Sequence, residues 1–124
     1  MQVKTKKILV VDDDPALIKL LTSLLNTQGF DVATAADGLD AMVQVKNYAP
    51  DLIILDIMMP EINGYDVCRN LKMDNKYKHI PVILLTSRDQ ELDPRIGNMM
   101  AIEYLQKPLD SAALLAKIQL VLKC

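Results

Sequence analysis

The chain has 124 residues, the length of one ordinary domain, so we expect a single domain over residues 1–124. Apolar residues make up 51% of it, enough for a core in which strands are covered on both faces. The net charge is −2 and only 4% of residues are aromatic, a combination that disfavours direct binding to nucleic acid or to an anionic membrane. The apolar runs are far shorter than a membrane span, and the two cysteines, Cys68 and Cys124, have no metal-site spacing. We therefore expect a cytoplasmic, reducing location.

Short apolar runs alternate along the chain with patterns of helical period. Strands are predicted at residues 8–11, 31–35, 52–55, 81–85 and 103–106. Helices are predicted between and after these strands. The first is indicated by leucines between residues 17 and 25 and ends at Gly29, the second by Ala41, Val45 and Tyr48, and the third by Val67, Cys68 and Leu71. The fourth is predicted over residues 94–100, and the last from apolar positions between 114 and 122. Five such repeats predict an α/β fold, a parallel sheet with helices on both faces and right-handed crossovers.

Polar residues follow the predicted strands, at the sheet edge where ligands bind in folds of this kind. Asp12, Asp13 and Asp14 follow the first strand, Asp56 the third, Thr86 and Ser87 the fourth, and Lys107 the fifth. Asp14 precedes a proline, so it is the natural N-cap of the first helix. Capping leaves Asp12 and Asp13 unexplained.

Two interpretations of this edge remain open at this point. The acids could merely favour a helix dipole, worth about 0.3–1 kcal/mol. Alternatively Asp12, Asp13 and Asp56 bring three like charges together, Lys107 offsets one, and the remaining −2 matches a divalent cation. All the ligands would be oxygens, so Mg²⁺ fits best. Without metal, like-charge repulsion should raise the pKa of one carboxylate.

Four segments together resemble the receiver domain of two-component response regulators. They are residues 8–15 (ILVVDDDP), 52–64 (LIILDIMMPEING), 82–87 (VILLTS) and 104–108 (YLQKP). The resemblance covers nearly the whole chain and implies a flavodoxin-like (βα)₅ fold with strand order 2-1-3-4-5. It also implies a phosphorelay protein that accepts a phosphoryl group from a histidine kinase or phosphotransfer protein, rather than an enzyme acting on a separate substrate.

The resemblance assigns a role to each site residue. Asp56 would be the phosphoacceptor, with Asp13, Asp56 and the backbone carbonyl of Met58 binding Mg²⁺ directly and Asp12 binding it through water. The Thr86 hydroxyl and the Lys107 ammonium would contact the phosphoryl oxygens. The peptide between Lys107 and Pro108 would be cis, while Tyr104 would turn inward as Thr86 moves. For Thr86, Tyr104 and Lys107 taken singly, an ordinary strand-end or surface role is the alternative.

The segment before the last strand departs from the family pattern. Over residues 89–104 (DQELDPRIGNMMAIEY), Met100 stands where the family has glycine and Ile102 replaces an acid. One interpretation is a repacked core that uses Met99 and Met100. The other is a short helix whose population phosphorylation shifts, next to a surface for a homodimer, output domain or partner formed with strand 103–106 and the final helix.

Three rival functions are less consistent with the residues. A haloacid-dehalogenase-like phosphatase needs an acid two residues after its nucleophile, where this chain has Met58. A flavin-binding flavodoxin needs a Ser-, Thr- or Gly-rich phosphate loop after the first strand, where this chain has three acids. A phosphorylation-independent receiver-like domain would lack some of the reacting residues, all of which are present.

Overall fold

A parallel five-stranded sheet forms the centre of the molecule. The computed structural model describes residues 5–57, 64–86 and 102–122. In chain order the elements are β1 (Lys7–Val11), α1 (Pro15–Thr27), β2 (Asp31–Ala35), α2 (Gly38–Tyr48), β3 (Leu52–Asp56), α3 (Gly64–Lys72), β4 (Val82–Thr86), β5 (Ile102–Gln106) and α4 (Ser111–Leu122). The strand order is β2-β1-β3-β4-β5, which confirms the predicted fold class.

The strands differ from the prediction only at their ends. Pro81 lies just before β4 rather than in it, and its carbonyl accepts a hydrogen bond from the Ile53 amide at 3.0 Å. Residues 94–100, predicted as a short helix, lie outside the described residues, so both interpretations of that segment stay predictions. Within the described ranges, no helix is long and apolar enough to cross a membrane.

The alternation of side chains along each strand divides the core into two layers. One layer joins Leu9, Val11, Ile53 and Leu55 to residues of α2 and α3, such as Val45 and Leu71. The other joins Ile8, Val10, Leu52 and Ile54 to Leu21 and Leu25 of α1 and to Leu114 and Ile118 of α4. Because β1, β3 and β4 are covered on both faces, they need apolar residues at successive positions, and four apolar residues follow one another in each.

Both ends of α1 are fixed by local hydrogen bonds. Asp14 is the N-cap, and its carboxylate accepts from the Ala16 amide at 3.0 Å, as predicted. At the other end, the Phe30 amide donates to the Leu25 carbonyl while Gly29, with φ of +91°, takes the left-handed conformation that glycine adopts without strain. This helix therefore starts directly after the acidic triplet and holds its backbone in place.

Candidate functional site

Strand register places the predicted site residues side by side. Val11 pairs with Leu55, so the next residues, Asp12 just after β1 and Asp56 at the end of β3, lie at the same level. On the other side, Thr86 pairs with Gln106, and the Lys107 amide donates to the Thr86 carbonyl at 2.7 Å. The carboxyl ends of β1, β3, β4 and β5 therefore form one continuous polar edge.

Three carboxylates meet at this edge. Oxygen atoms of Asp12, Asp13 and Asp56 all lie within 4.8 Å of one another. Asp12 and Asp56 are buried whereas Asp13 is exposed, so the cluster opens to solvent on the Asp13 side. Its donors are all oxygens, the set that hard divalent cations prefer. The cluster could therefore hold a metal ion.

Lys107 provides the positive charge of the site. Its Nζ lies 3.2 Å from Asp56 Oδ1 and 3.5 Å from Asp12 Oδ2. Burial alone would lower the pKa of Lys107, but the two carboxylates outweigh it, so the net pKa is raised and the ammonium form is favoured. Three carboxylates and one ammonium leave a formal charge of −2. The peptide from Lys107 to Pro108 is cis, as the family resemblance implied.

Asp12 is a fully buried acid whose pKa is raised. A pKa raised by like-charge repulsion was expected, and that repulsion is present but is not the main cause of the shift. The largest cause is burial, while repulsion by Asp13 contributes least. The Asp14 amide, which donates to Asp12 Oδ1 at 2.9 Å, and the Lys107 charge oppose the shift. Loss of water around Asp12, more than crowding of like charges, makes its charged form costly.

The remaining predicted residues have different environments. Thr86 ends β4 with only 5% of its surface exposed. Tyr104 pairs with Leu84 in the sheet and is half-buried, packed against the core layer that contains Leu84. Met58 and Ser87 lie outside the described residues. The roles given to all of these residues by resemblance stay predictions.

Gly64, which ends the segment LIILDIMMPEING, lies directly against the backbone of Asp56 and Ile57. It begins α3, and its amide donates to the Ile57 carbonyl at 2.8 Å. A Cβ at this position would lie 2.7 Å from the Ile57 Cα, closer than real contacts allow. The sequence shows a glycine at this position, but its close approach to the backbone of Asp56 and Ile57 depends on where α3 is placed.

Comparison with known proteins gives the family. The family model for the response regulator receiver domain matches residues 8–119. This chain belongs to the response regulator receiver family. That span includes all the predicted site residues and the β2-β1-β3-β4-β5 sheet, so the protein is a receiver domain of two-component signalling.

Individual relatives agree with this membership. The chain is 39% identical over 120 residues to the DNA-binding response regulator MtrA of Mycolicibacterium smegmatis, covering 96% of this chain and 51% of that protein. It is 37% identical over 119 residues to the alkaline phosphatase synthesis transcriptional regulatory protein PhoP of Bacillus subtilis, covering 95% and 49%. The chain thus spans about half the length of these curated relatives.

A solved structure shows the same fold. The chemotaxis protein CheY4 of Vibrio cholerae is 30% identical, with a TM-score of 0.86 over 95% of this chain and 99% of that one. The similarity therefore extends over nearly all of both chains.

Proposed function

We propose that this receiver domain takes a phosphoryl group onto Asp56 in a Mg²⁺-dependent reaction. The observation that carries the proposal is the joint placement of Asp12, Asp13 and Asp56 within 4.8 Å of one another, with Lys107 Nζ 3.2 Å from Asp56. The phosphodonor is a histidine kinase or a phosphotransfer protein, the class of partner that belongs to this family.

Asp56 is the nucleophile in this proposal. One of its carboxylate oxygens forms a new bond to phosphorus as the bond from phosphorus to the donor breaks, giving an aspartyl phosphate and the free donor. No proton has to leave Asp56, because a carboxylate attacks in its ionised form. Lys107 supports this state, since its ammonium lies beside Asp56 Oδ1.

Catalysis then consists mainly of positioning and charge neutralisation. Lys107 stays charged and stabilises the phosphoryl oxygens on its side. The Thr86 hydroxyl, at the end of the neighbouring strand, donates a hydrogen bond to another oxygen. Asp12, Asp13 and Asp56 would hold Mg²⁺, which when bound would supply positive charge to neutralise the phosphoryl group. The chain acts on its own carboxylate and is not an enzyme for a separate substrate.

Signal output is proposed to pass from the phosphoryl group to the surface around β5 and α4. Thr86 and Tyr104 lie on the adjacent strands β4 and β5, so movement of Thr86 toward the phosphoryl group changes the packing space next to Tyr104. This surface would contact an output domain, a second copy or another partner. MtrA is named as a DNA-binding response regulator and PhoP as a transcriptional regulatory protein. With its net charge of −2, this domain itself is not proposed to bind nucleic acid.

Intact mass spectrometry tests the phosphorylation. The wild-type chain, incubated with acetyl phosphate and Mg²⁺, should gain one phosphoryl group, and a chelator should prevent the gain. Asp56→Asn, which keeps the size of the side chain but removes its nucleophilic charge, should gain none. Equal labelling of Asp56→Asn would refute the assignment, and an unlabelled wild type would favour a phosphorylation-independent receiver.

A further inference from the structure

Gly64 has no room for a side chain because α3 begins against the backbone of the phosphoacceptor. A Cβ on Gly64 would lie 2.7 Å from the Ile57 Cα and closer still to the Asp56 carbonyl oxygen. Both are main-chain atoms, which cannot rotate away as the end of a flexible side chain can. The Gly64 amide also donates to the Ile57 carbonyl, so the close approach is held by a hydrogen bond.

The peptide between Asp56 and Ile57 is held from the other side as well. The Ile57 amide donates to the Leu85 carbonyl at 3.2 Å, and Asp56 is paired with Leu85 in the sheet. Ile57 is 2% exposed, so its side chain is fixed in the core. The peptide therefore lies between β4 and the start of α3. A methyl group at position 64 would displace either this peptide or the start of α3.

A displacement of this peptide would also move the carboxylate of Asp56. That carboxylate is only two bonds from the Asp56 Cα, whereas its neighbours Asp12 and Lys107 directly follow other strands, β1 and β5. A shift of the peptide therefore changes the distance from Asp56 to both. Reactions that depend on positioning lose about 100-fold in rate for a misplacement of about 1 Å.

We infer that Gly64 is a positioning residue for phosphorylation: its missing Cβ lets α3 hold the Asp56–Ile57 peptide where the Asp56 carboxylate faces Lys107 and the acidic cluster. This inference rests on the proposed function. It assigns to Gly64 no contact with the phosphoryl group or with the metal.

Gly29 provides a matched control within the same chain. It needs glycine for a different reason, since its φ is +91° while a Cβ there would meet nothing within 4 Å. It lies between α1 and β2, at the amino edge of the sheet and opposite the site. Both Gly64→Ala and Gly29→Ala should lower stability, but only Gly64→Ala should disturb Asp56.

The experiment compares phosphorylation rates of the wild type and both variants with acetyl phosphate, at temperatures where each is folded by circular dichroism. Gly64→Ala should be labelled roughly 10- to 100-fold more slowly than wild type, and Gly29→Ala at nearly the wild-type rate. The Mg²⁺ dissociation constant of Gly64→Ala should rise by a smaller factor than its phosphorylation rate falls. Two of the three carboxylates, Asp12 and Asp13, follow β1, so a shift of the Asp56–Ile57 peptide leaves them in place. The NMR amide shift of Ile57 should move in Gly64→Ala and stay constant in Gly29→Ala, which a loss of global stability alone would not produce.

Three outcomes overturn the inference. They are a wild-type rate in folded Gly64→Ala, an equal loss of rate in both glycine variants, and a Gly64→Ala chain that stays unfolded even in sucrose, which favours the folded state. The last would make Gly64 a residue for folding alone. An unlabelled wild type is a separate result, because it refutes the proposed function instead.

Discussion

Asp13 and Asp14 are adjacent acids for which the structure predicts opposite consequences of substitution. Asp14→Ala removes the carboxylate that accepts from the Ala16 amide at the start of α1. Loss of an N-cap costs about 1 kcal/mol, which lowers the melting temperature of a domain of this size by about 3–5 °C. The Asp14 amide still donates to Asp12 Oδ1 in this variant, so the metal cluster keeps its three carboxylates.

Asp13→Ala instead removes one of those carboxylates. The formal charge of the cluster with Lys107 falls in magnitude from −2 to −1, given the three acids and one ammonium present. Even with water-like screening, a unit charge at about 4 Å is worth about 1 kcal/mol, or about 2 kcal/mol toward a divalent ion. Mg²⁺ affinity should therefore fall by roughly 30-fold or more. The metal-free fold should be equally stable or slightly more stable, because one like charge is gone.

Calorimetric Mg²⁺ titration and thermal unfolding in a chelator separate the two effects. Each substitution removes one negative charge, so general electrostatics is matched and only the local contacts differ. Asp14→Ala should lower the melting temperature while its Mg²⁺ affinity stays within about threefold of wild type. The small change that remains comes from the long-range effect of the lost charge. Equal losses of Mg²⁺ affinity in the two variants would refute this division of roles.

Two further predictions concern buried polar groups. The raised pKa of Asp12 means that its carboxyl group holds a proton more tightly in the folded than in the unfolded protein. Ionised Asp12 therefore lowers the free energy of unfolding at neutral pH. This loss of stability disappears as pH falls through the pKa of Asp12 in the folded protein. In a chelator, Asp12→Asn should therefore stabilise the protein against urea at about pH 7 and less so at about pH 4, and a pH-independent difference would contradict this. Within the described part of the chain, the buried Thr22 hydroxyl has no hydrogen-bond partner. Thr22→Val should raise stability by about 1 kcal/mol in the same urea assay, and a loss of stability would show that the hydroxyl is satisfied.

The fold was predictable because strands covered by both core layers require uninterrupted apolar runs. In β3 and β4 every residue is buried, and the sequence shows uninterrupted apolar runs up to Asp56 and Thr86. The strand ends were less certain by one residue, as at Pro81, because hydrogen bonding rather than hydrophobicity sets where a strand begins. The site followed from topology, since parallel strands must bring their carboxyl ends to one edge.

Contacts that depend on three-dimensional placement were not predictable in this way. The sequence shows a glycine at position 64, but only the position of α3 reveals that a Cβ would meet the backbone at Ile57. The charge count indicated that Lys107 offsets one acid, yet it could not show that the ammonium lies between Asp12 and Asp56. The main cause of the Asp12 pKa shift was missed for the same reason, because burial is a property of the folded chain.

The hydrogen bonds of Asp12 bear on the role that the family resemblance implies for it in the acidic cluster. Asp12 Oδ1 accepts from the Asp14 amide and Oδ2 faces the Lys107 ammonium, so both of its oxygens already have donors. Each oxygen keeps a second lone pair, so these two donors orient Asp12 and leave it able to accept a hydrogen bond from a metal-bound water. Asp13 is exposed and can reach a cation from the solvent side without breaking into the core. That Asp12 binds Mg²⁺ through water and Asp13 binds it directly, as the family resemblance implies, stays a prediction, and the Asp14 amide helps to orient Asp12 for it.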